Sequence, residues 1–475
     1  MSLSSIISLL RYARSRLNQA FRDFVVLICR PQISLVLKIT LVFVVFFLLA
    51  WTRLDPDFGW HLQAGNYIRN HGIPSHDIFT YTARTFRWID HEWGNDVIVS
   101  LLYSLGGYGL LAAVFGGIWT LALFMAGSRS RPLVLLVAVA AMTPYAGIRP
   151  VAWTVLFLAL LLKVLTGSRR RLIWFIPVMF VLWANLHAGF IVGLALIAYF
   201  AIRKRQKALV AILALSCLAT FINPYGPRLY VEVARTTFDG SLHFEISEWT
   251  VLYIPAASAA LVCLWGAGFW LLRRKRLVNW LDVGPIMLAA ALSATRNMPL
   301  FVIATVKDLD NFYDDIKSKI PKDLDRSRKI VIGLFAAVTI GWLTYILGAT
   351  FIPWPQRDTS YPVQAVAYLR SNPCKGHIFN DYDYGGYLIW QLPSQPVYID
   401  GRMPSWRNSS SQKYYAIYNQ VIANKTTRRN QFSKYDIQCV LLSRGSLNNR
   451  LLSSLQKSGW KTAVQANGSE LLIKP

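Results

Sequence analysis

Hydrophobic residues gather in runs that approach twenty positions, first at 33–52 and then at about 108–127, 133–148, 151–167, 172–186, 189–202, 208–222, 255–272, 279–295, 298–306 and 330–349. A helix rises 1.5 Å per residue and the hydrocarbon core of a bilayer is about 30 Å thick, so runs of this length predict membrane-crossing helices. The pattern predicts an α-helical polytopic membrane protein of about 11 transmembrane helices, with the run at 298–306 short for a span. Before the second run, Val97, Ile98, Leu101, Leu102 and Leu105 recur at helical spacing opposite Asn95, Asp96, Ser100 and Ser104. That stripe predicts a helix lying in the membrane interface.

After position 350 the pattern changes. Pro353 and Pro355 mark the exit from the apolar region, and the stretch from Pro362 to Leu369 predicts a helix with proline near its start. Short apolar segments follow at His377-Ile-Phe, Val397-Tyr-Ile, Cys439-Val-Leu-Leu and after Trp460, between helical patterns at 413–423 and 446–458. Strands alternating with helices predict a compact α/β domain over 350–475.

Charge assigns the sides. Of 475 residues 54% are hydrophobic, and the net charge is +26. In a soluble chain that charge would suggest nucleic acid, but here the basic residues cluster between apolar runs, as the positive-inside rule describes, and no nucleic-acid partner is expected. Arg129 with Arg131, Arg169 to Arg171, Arg203 to Lys207, Arg273 to Arg276 and the stretch from Lys307 to Lys329 all fall on one side. The basic segment 1–32 joins them, an uncleaved cytoplasmic start to a membrane domain spanning 33–349. The acidic segment after the first run then lies outside, as do the turns at Arg149-Pro150, Asn185-Leu-His-Ala-Gly189 and Arg296-Asn-Met-Pro299. An odd number of spans makes the C-terminal domain extracytoplasmic, in a plasma (inner) membrane protein. There Cys374 and Cys439 have the chance to pair.

Six of the 24 acids lie between 55 and 96: Asp55, Asp57, Asp77, Asp90, Glu92 and Asp96. One reading is a solvated loop with helix caps. The other is a catalytic or metal-binding first outer loop (53–107), because Asp55, His61, Asp90 and Glu92 offer hard oxygen and imidazole ligands that suit a divalent cation, Mg or Mn. Across the same face, Arg149, His187 and Arg296 sit at the outer ends of apolar runs. Either arginine can simply snorkel to headgroups. Together with an outer carboxylate they also suit a reaction in which Asp55 or Asp57 takes a proton, Glu92 assists, and the guanidinium groups hold a phosphate. In the C-terminal domain Asp383-Tyr384 and Asp400-Gly-Arg402 each follow a short apolar segment. They read as ligand-binding loops or as ordinary turns.

With these residues in view, the chain resembles the GT-C superfamily of integral membrane glycosyltransferases. The run Leu54-Asp-Pro-Asp-Phe-Gly-Trp-His61 is similar to the first-loop Asp-Pro segment of the oligosaccharyltransferase catalytic subunit, which implies a catalytic acid at Asp55. Asp383-Tyr-Gly385 resembles part of that subunit's acceptor-recognition motif, here without its paired tryptophans. Asn185-Leu-His-Ala-Gly, Asn223-Pro-Tyr-Gly, Arg296-Asn-Met-Pro and Tyr398-Ile-Asp-Gly-Arg are most similar to bacterial membrane proteins described as glycosyltransferase-like. The resemblance implies transfer of a sugar from a polyprenyl-phosphate-linked or diphosphate-linked donor to an extracytoplasmic acceptor. Arg149, His187 and Arg296 would face the donor phosphate, and Asp383, Tyr384, Asp400 and Arg402 the acceptor. The competing reading is a non-catalytic lipid-carrier flippase or envelope-assembly protein whose outer domain binds glycan or a partner.

Overall fold

The computed structural model describes residues 31–127, 131–246, 282–319 and 361–475 except 467, with the single positions 249 and 341. The basic segment 1–30, the runs at 255–272 and 330–349, and Pro353 with Pro355 lie outside the described residues. The helical body comprises α1 (Pro31–Thr52), α2 (Phe58–His71), α3 (Trp93–Ala126), α4 (Pro132–Met142), α5 (Val151–Thr166), α6 (Ile176–Leu186), α7 (Phe190–Lys204), α8 (Lys207–Ala219), α9 (Arg228–Thr237), α10 (Leu242–Glu245), α11 (Val283–Ser293) and α12 (Met298–Lys319).

Among the described residues, Leu35–Thr52 and Trp93–Ala126 are long and apolar enough to cross a membrane. The other apolar runs form shorter helices, such as the 16 residues of α5, which rise about 24 Å. The expected count of eleven spans rests partly on runs outside the described residues. Outward faces are apolar: Val36 and Leu41 on α1, Val178 and Leu182 on α6, and Val210 and Leu218 on α8 are all exposed. Large contiguous apolar surfaces of this kind mark contact with lipid or another protein. The inner faces close around Phe46, Phe115, Trp119, Phe180 and Trp183, each fully buried.

Three elements differ from the sequence reading. The interfacial helix expected at 97–105 and the run at 108–127 are two arms of α3, kinked where Gly106 and Gly107 leave helical geometry. Inside the acidic segment, Phe58 to His71 forms α2 rather than loop, because Phe58, His61, Leu62 and Gly65 repeat at helical spacing and bury one face. The connection between the apolar runs ending at 222 and starting at 255, for which the hydrophobic pattern predicts no element, holds α9 and α10.

The C-terminal part holds α13 (Val363–Ser371), β1 (His377–Asn380), α14 (Gly385–Gln391), α15 (Tyr414–Ala423), α16 (Lys425–Lys434), β2 (Ile437–Ser443), α17 (Ser446–Lys457), β3 (Lys461–Ala466) and β4 (Ser469–Ile473). The sheet order is β1-β2-β4-β3, with β1 parallel to β2 and the other pairs antiparallel. Cys374 and Cys439 form a disulfide beside β1. Val397-Tyr-Ile is extended but is no strand of this sheet. Its backbone is engaged elsewhere: Val397 N–H donates to Phe79 O (3.0 Å), and Tyr398 N–H to the Asn380 side-chain oxygen (2.8 Å).

Two close approaches fix the site. A β-carbon at Gly65 would lie 1.9 Å from the Asp96 carbonyl oxygen, so glycine lets α2 lie directly on α3. One at Gly59 would lie 1.8 Å from Gly386 O, and one at Gly386 2.0 Å from Pro56 O. Gly59 and Gly386 thus seat the 56–59 backbone on the C-terminal domain.

Candidate active site

A cavity of about 280 Å³ opens where α1 ends, walled by segment 55–61, residues 88–92, the turns carrying Arg149, His187 and Arg296, and the 401–406 loop. Asp55 accepts the Asp57 N–H at 2.9 Å with one oxygen, which fixes its rotamer, and its other oxygen forms an ion pair with Arg149 Nε. Asp57 accepts from Trp60 Nε1 at 2.9 Å, a local role that ties it to the start of α2. Arg296 enters from the turn before α12, its guanidinium 4.5 Å from the Trp249 ring centre. The structure therefore brings Asp55, Arg149 and Arg296 to one cavity.

Glu92 stands at the head of α3, where three imidazoles converge. The Nε2 atoms of His187, His91 and His61 lie 3.5, 3.6 and 3.7 Å from its carboxylate oxygens. Hydrogen bonds assign the His187 tautomer. Trp183 Nε1–H donates to Thr154 Oγ (2.8 Å), Thr154 donates in turn to His187 Nδ1 (2.7 Å), and Gly189 N–H points at the same nitrogen (3.1 Å). The His187 proton therefore sits on Nε2 and faces Glu92. His61 is oriented oppositely, with Nδ1 at 2.6 Å from Asp96 Oδ1. Burial pushes the Glu92 carboxyl above the usual range, against the opposing pull of His61 and Arg296. Burial also lowers His187 well below its ordinary value, with the Arg296 charge adding to it. Asp90 is raised by burial and then by the Asp96 charge.

The metal set read from the sequence is not assembled. Asp55 is turned onto Arg149, and the His187 Nε2 beside Glu92 carries a proton. Among the described residues, no three His, Cys, Asp or Glu side chains are arranged to hold an ion.

Of the residues expected to face an acceptor, Asp383 and Arg402 line the cavity. Lost hydration and the Asp381 charge push the Asp383 carboxyl up to about 6. Tyr384 is buried in the core, and the fully buried Asp400 acts through its neighbour. Arg402 binds Asp400 through Nε (2.8 Å) and Nη2 (2.7 Å), and Asp77 through Nη2 (2.8 Å). The rings of Trp88, Phe79, Trp406 and Trp60 surround its guanidinium at 4.5 to 5.9 Å. Sequence reading passed over Glu232, a buried acid of α9 on the cavity wall. Its signal was isolation: no Asp or Glu stands between Asp96 and Glu232.

No family model and no curated protein matches the chain. Solved structures do. ArnT from Cupriavidus metallidurans bound to undecaprenyl phosphate aligns at TM-score 0.52 and 12% identity, over 92% of this chain and 97% of that one. The oligosaccharyltransferase of Archaeoglobus fulgidus in the apo form aligns at TM-score 0.54 and 10% identity, over 88% and 70%. Its form tethered to an acceptor peptide with the NVT sequon gives 0.53 and 12%, over 87% and 69%. The chain therefore shares an overall fold with these proteins over most of its length.

Proposed function

We propose that the chain is a multi-pass membrane glycosyltransferase that moves a sugar from a polyprenyl phosphate or diphosphate to an extracytoplasmic acceptor. The observation that carries this reading is the single cavity holding Asp55, Arg149 and Arg296. A flippase needs a lipid groove but no reactive carboxylate, whereas here a carboxylate and two guanidinium groups line one cavity. The related folds in complex with undecaprenyl phosphate and with an acceptor peptide support the same reaction class.

In the resting state Arg149 neutralises Asp55. An incoming donor phosphate competes for the guanidinium, joined by Arg296, and frees Asp55. Asp55 then removes the proton of the acceptor hydroxyl or amide as that atom attacks the anomeric carbon. The bond from anomeric carbon to phosphate oxygen breaks, and the phosphate leaves with its charge held by the two arginines. Glu92, ionised and oriented by the His187 Nε2–H, accepts a hydrogen bond from the acceptor and keeps it aimed. The acceptor enters past Asp383 and Arg402, with the N-terminus cytoplasmic and the C-terminal domain outside. Membranes carrying the chain, given labelled polyprenyl-phosphate sugar, test the reading: wild type transfers label and Asp55→Asn does not. Equal transfer by both would remove Asp55 from the reaction.

A further inference from the structure

On its other side α2 borders a second cavity of about 330 Å³, closed by residues 78–79 and by the 389–396 stretch of the C-terminal domain. Gln63, Asn66, Tyr67 and Asn70 follow one another at helical spacing along this face, and Gln395 meets them from across the groove. In a chain of net charge +26, no Asp, Glu, Lys or Arg lines it.

The hydrogen bonds hold the amides in place and leave capacity over. Asn66 donates to Gln63 Oε1 (3.2 Å) and accepts from Ser100 (2.7 Å), and Asn70 Nδ2 donates to Asn66 O (2.9 Å). Gln395 Nε2 donates to Cys374 O, while its buried Oε1 has no partner. The Tyr67 ring stacks on His71, centroids 4.7 Å apart, and both side chains line the groove. Pro393 and Pro396 stiffen the rim.

This chemistry selects by exclusion. An anion would find no Lys or Arg, and an apolar chain would leave the buried Gln395 oxygen without a partner. A ligand dense in uncharged hydroxyls, with one flat face for an aromatic ring, satisfies both. We infer that the groove is a binding site for an uncharged oligosaccharide. Phe79 lines the groove and also lies 4.9 Å from the Arg402 guanidinium of the first cavity, so one ring is the wall between them. Resting on the sugar-transfer reading, the occupant is a part of the acceptor glycan remote from the reacting hydroxyl.

The full chain in sugar-free nanodiscs, observed by saturation-transfer NMR, tests this with neutral hexasaccharides of glucose, mannose, xylose and N-acetylglucosamine and with an oligogalacturonate. At least one neutral hexasaccharide binds, the oligogalacturonate does not, and Tyr67→Ala weakens binding at least tenfold. Asn70→Asp, at an exposed position that spares the fold, weakens it as well. Asp55→Asn leaves it unchanged. Binding of no neutral member, binding indifferent to both groove variants, or binding lost in Asp55→Asn overturns the inference. Groove binding without transfer would fail the transfer reading alone, and transfer without groove binding this inference alone.

Discussion

Asp55 and Arg149 form an ion pair that joins the segment after the first helix to the turn between α4 and α5. The pair sets a resting state in which neither partner is committed to a substrate. Asp55→Asn should lower kcat for transfer by about 10² to 10⁴, the range for loss of a general base, with little change in donor KM. Arg149→Ala should raise donor KM as well as lower kcat. The double variant should lose far less than the two effects multiplied, because both act at one step. Steady-state rates on the single and double variants check this, and strict multiplicativity would oppose it.

Arg296 enters the cavity from a different turn than Arg149 and stands over Trp249. Arg296→Ala should therefore act mainly on donor KM, by roughly tenfold or more, as expected when a charge-assisted contact to phosphate is lost. A donor titration distinguishes this from a purely structural effect, which would lower the amount of active protein at constant KM.

Burial raises the Glu92 carboxyl, so its ionised form is lost at a higher pH than in an exposed glutamate. If ionised Glu92 orients the acceptor, activity is present above its raised pKa and falls as pH drops through it. The acid limb of the rate profile should thus lie above about 4.3, the ordinary glutamate value, and vanish in Glu92→Gln. A limb unchanged in that variant would assign the titration to another group.

Asp90 gives a stability prediction of known sign. Its folded pKa is raised above the unfolded value, so between the two the folded state keeps a proton that the unfolded state releases. Stability falls as pH rises through that window and stays lower beyond it. Asp90→Asn cannot ionise, and its Tm advantage over wild type should grow from pH 4 to pH 8. A constant or shrinking difference would contradict burial as the cause.

Arg402 ties the acidic segment to the C-terminal domain through Asp77 and Asp400, with all three side chains 3% exposed or less. Arg402→Ala leaves two carboxylates buried without their cation, a loss of about 3–5 kcal/mol by comparison with other broken buried pairs. Its Tm should drop sharply, whereas Arg407→Ala, at an exposed neighbouring position, should change little.

Much of this was readable along the chain, and the misses have physical causes. The acids at 55, 57, 90 and 92 and the arginines at 149 and 296 reach one cavity because polar groups beside apolar runs have few other places to go. Helix α2 escaped notice since its buried face includes His61 and two glycines, which carry little apolar signal. The Asp77–Arg402 pair links positions far apart in sequence, and nothing local marks that contact. Asp400 looked like a ligand because it shares a loop with Arg402, and burial shows it to be the arginine's anchor. Spacing likewise does not reveal tautomers: that His187 turns its protonated nitrogen to Glu92 appears only with the Trp183–Thr154–His187 chain in place.

The lipid carried through purification tests the central claim most directly. Wild type, Asp55→Asn and the Arg149→Ala/Arg296→Ala double variant would be purified in parallel, and their lipid extracts compared by mass spectrometry. The account predicts a sugar-loaded polyprenyl phosphate or diphosphate enriched on Asp55→Asn, which binds the donor without discharging it, and depleted from the double arginine variant. Equal amounts on all three proteins, or no polyprenyl lipid on any, would contradict it.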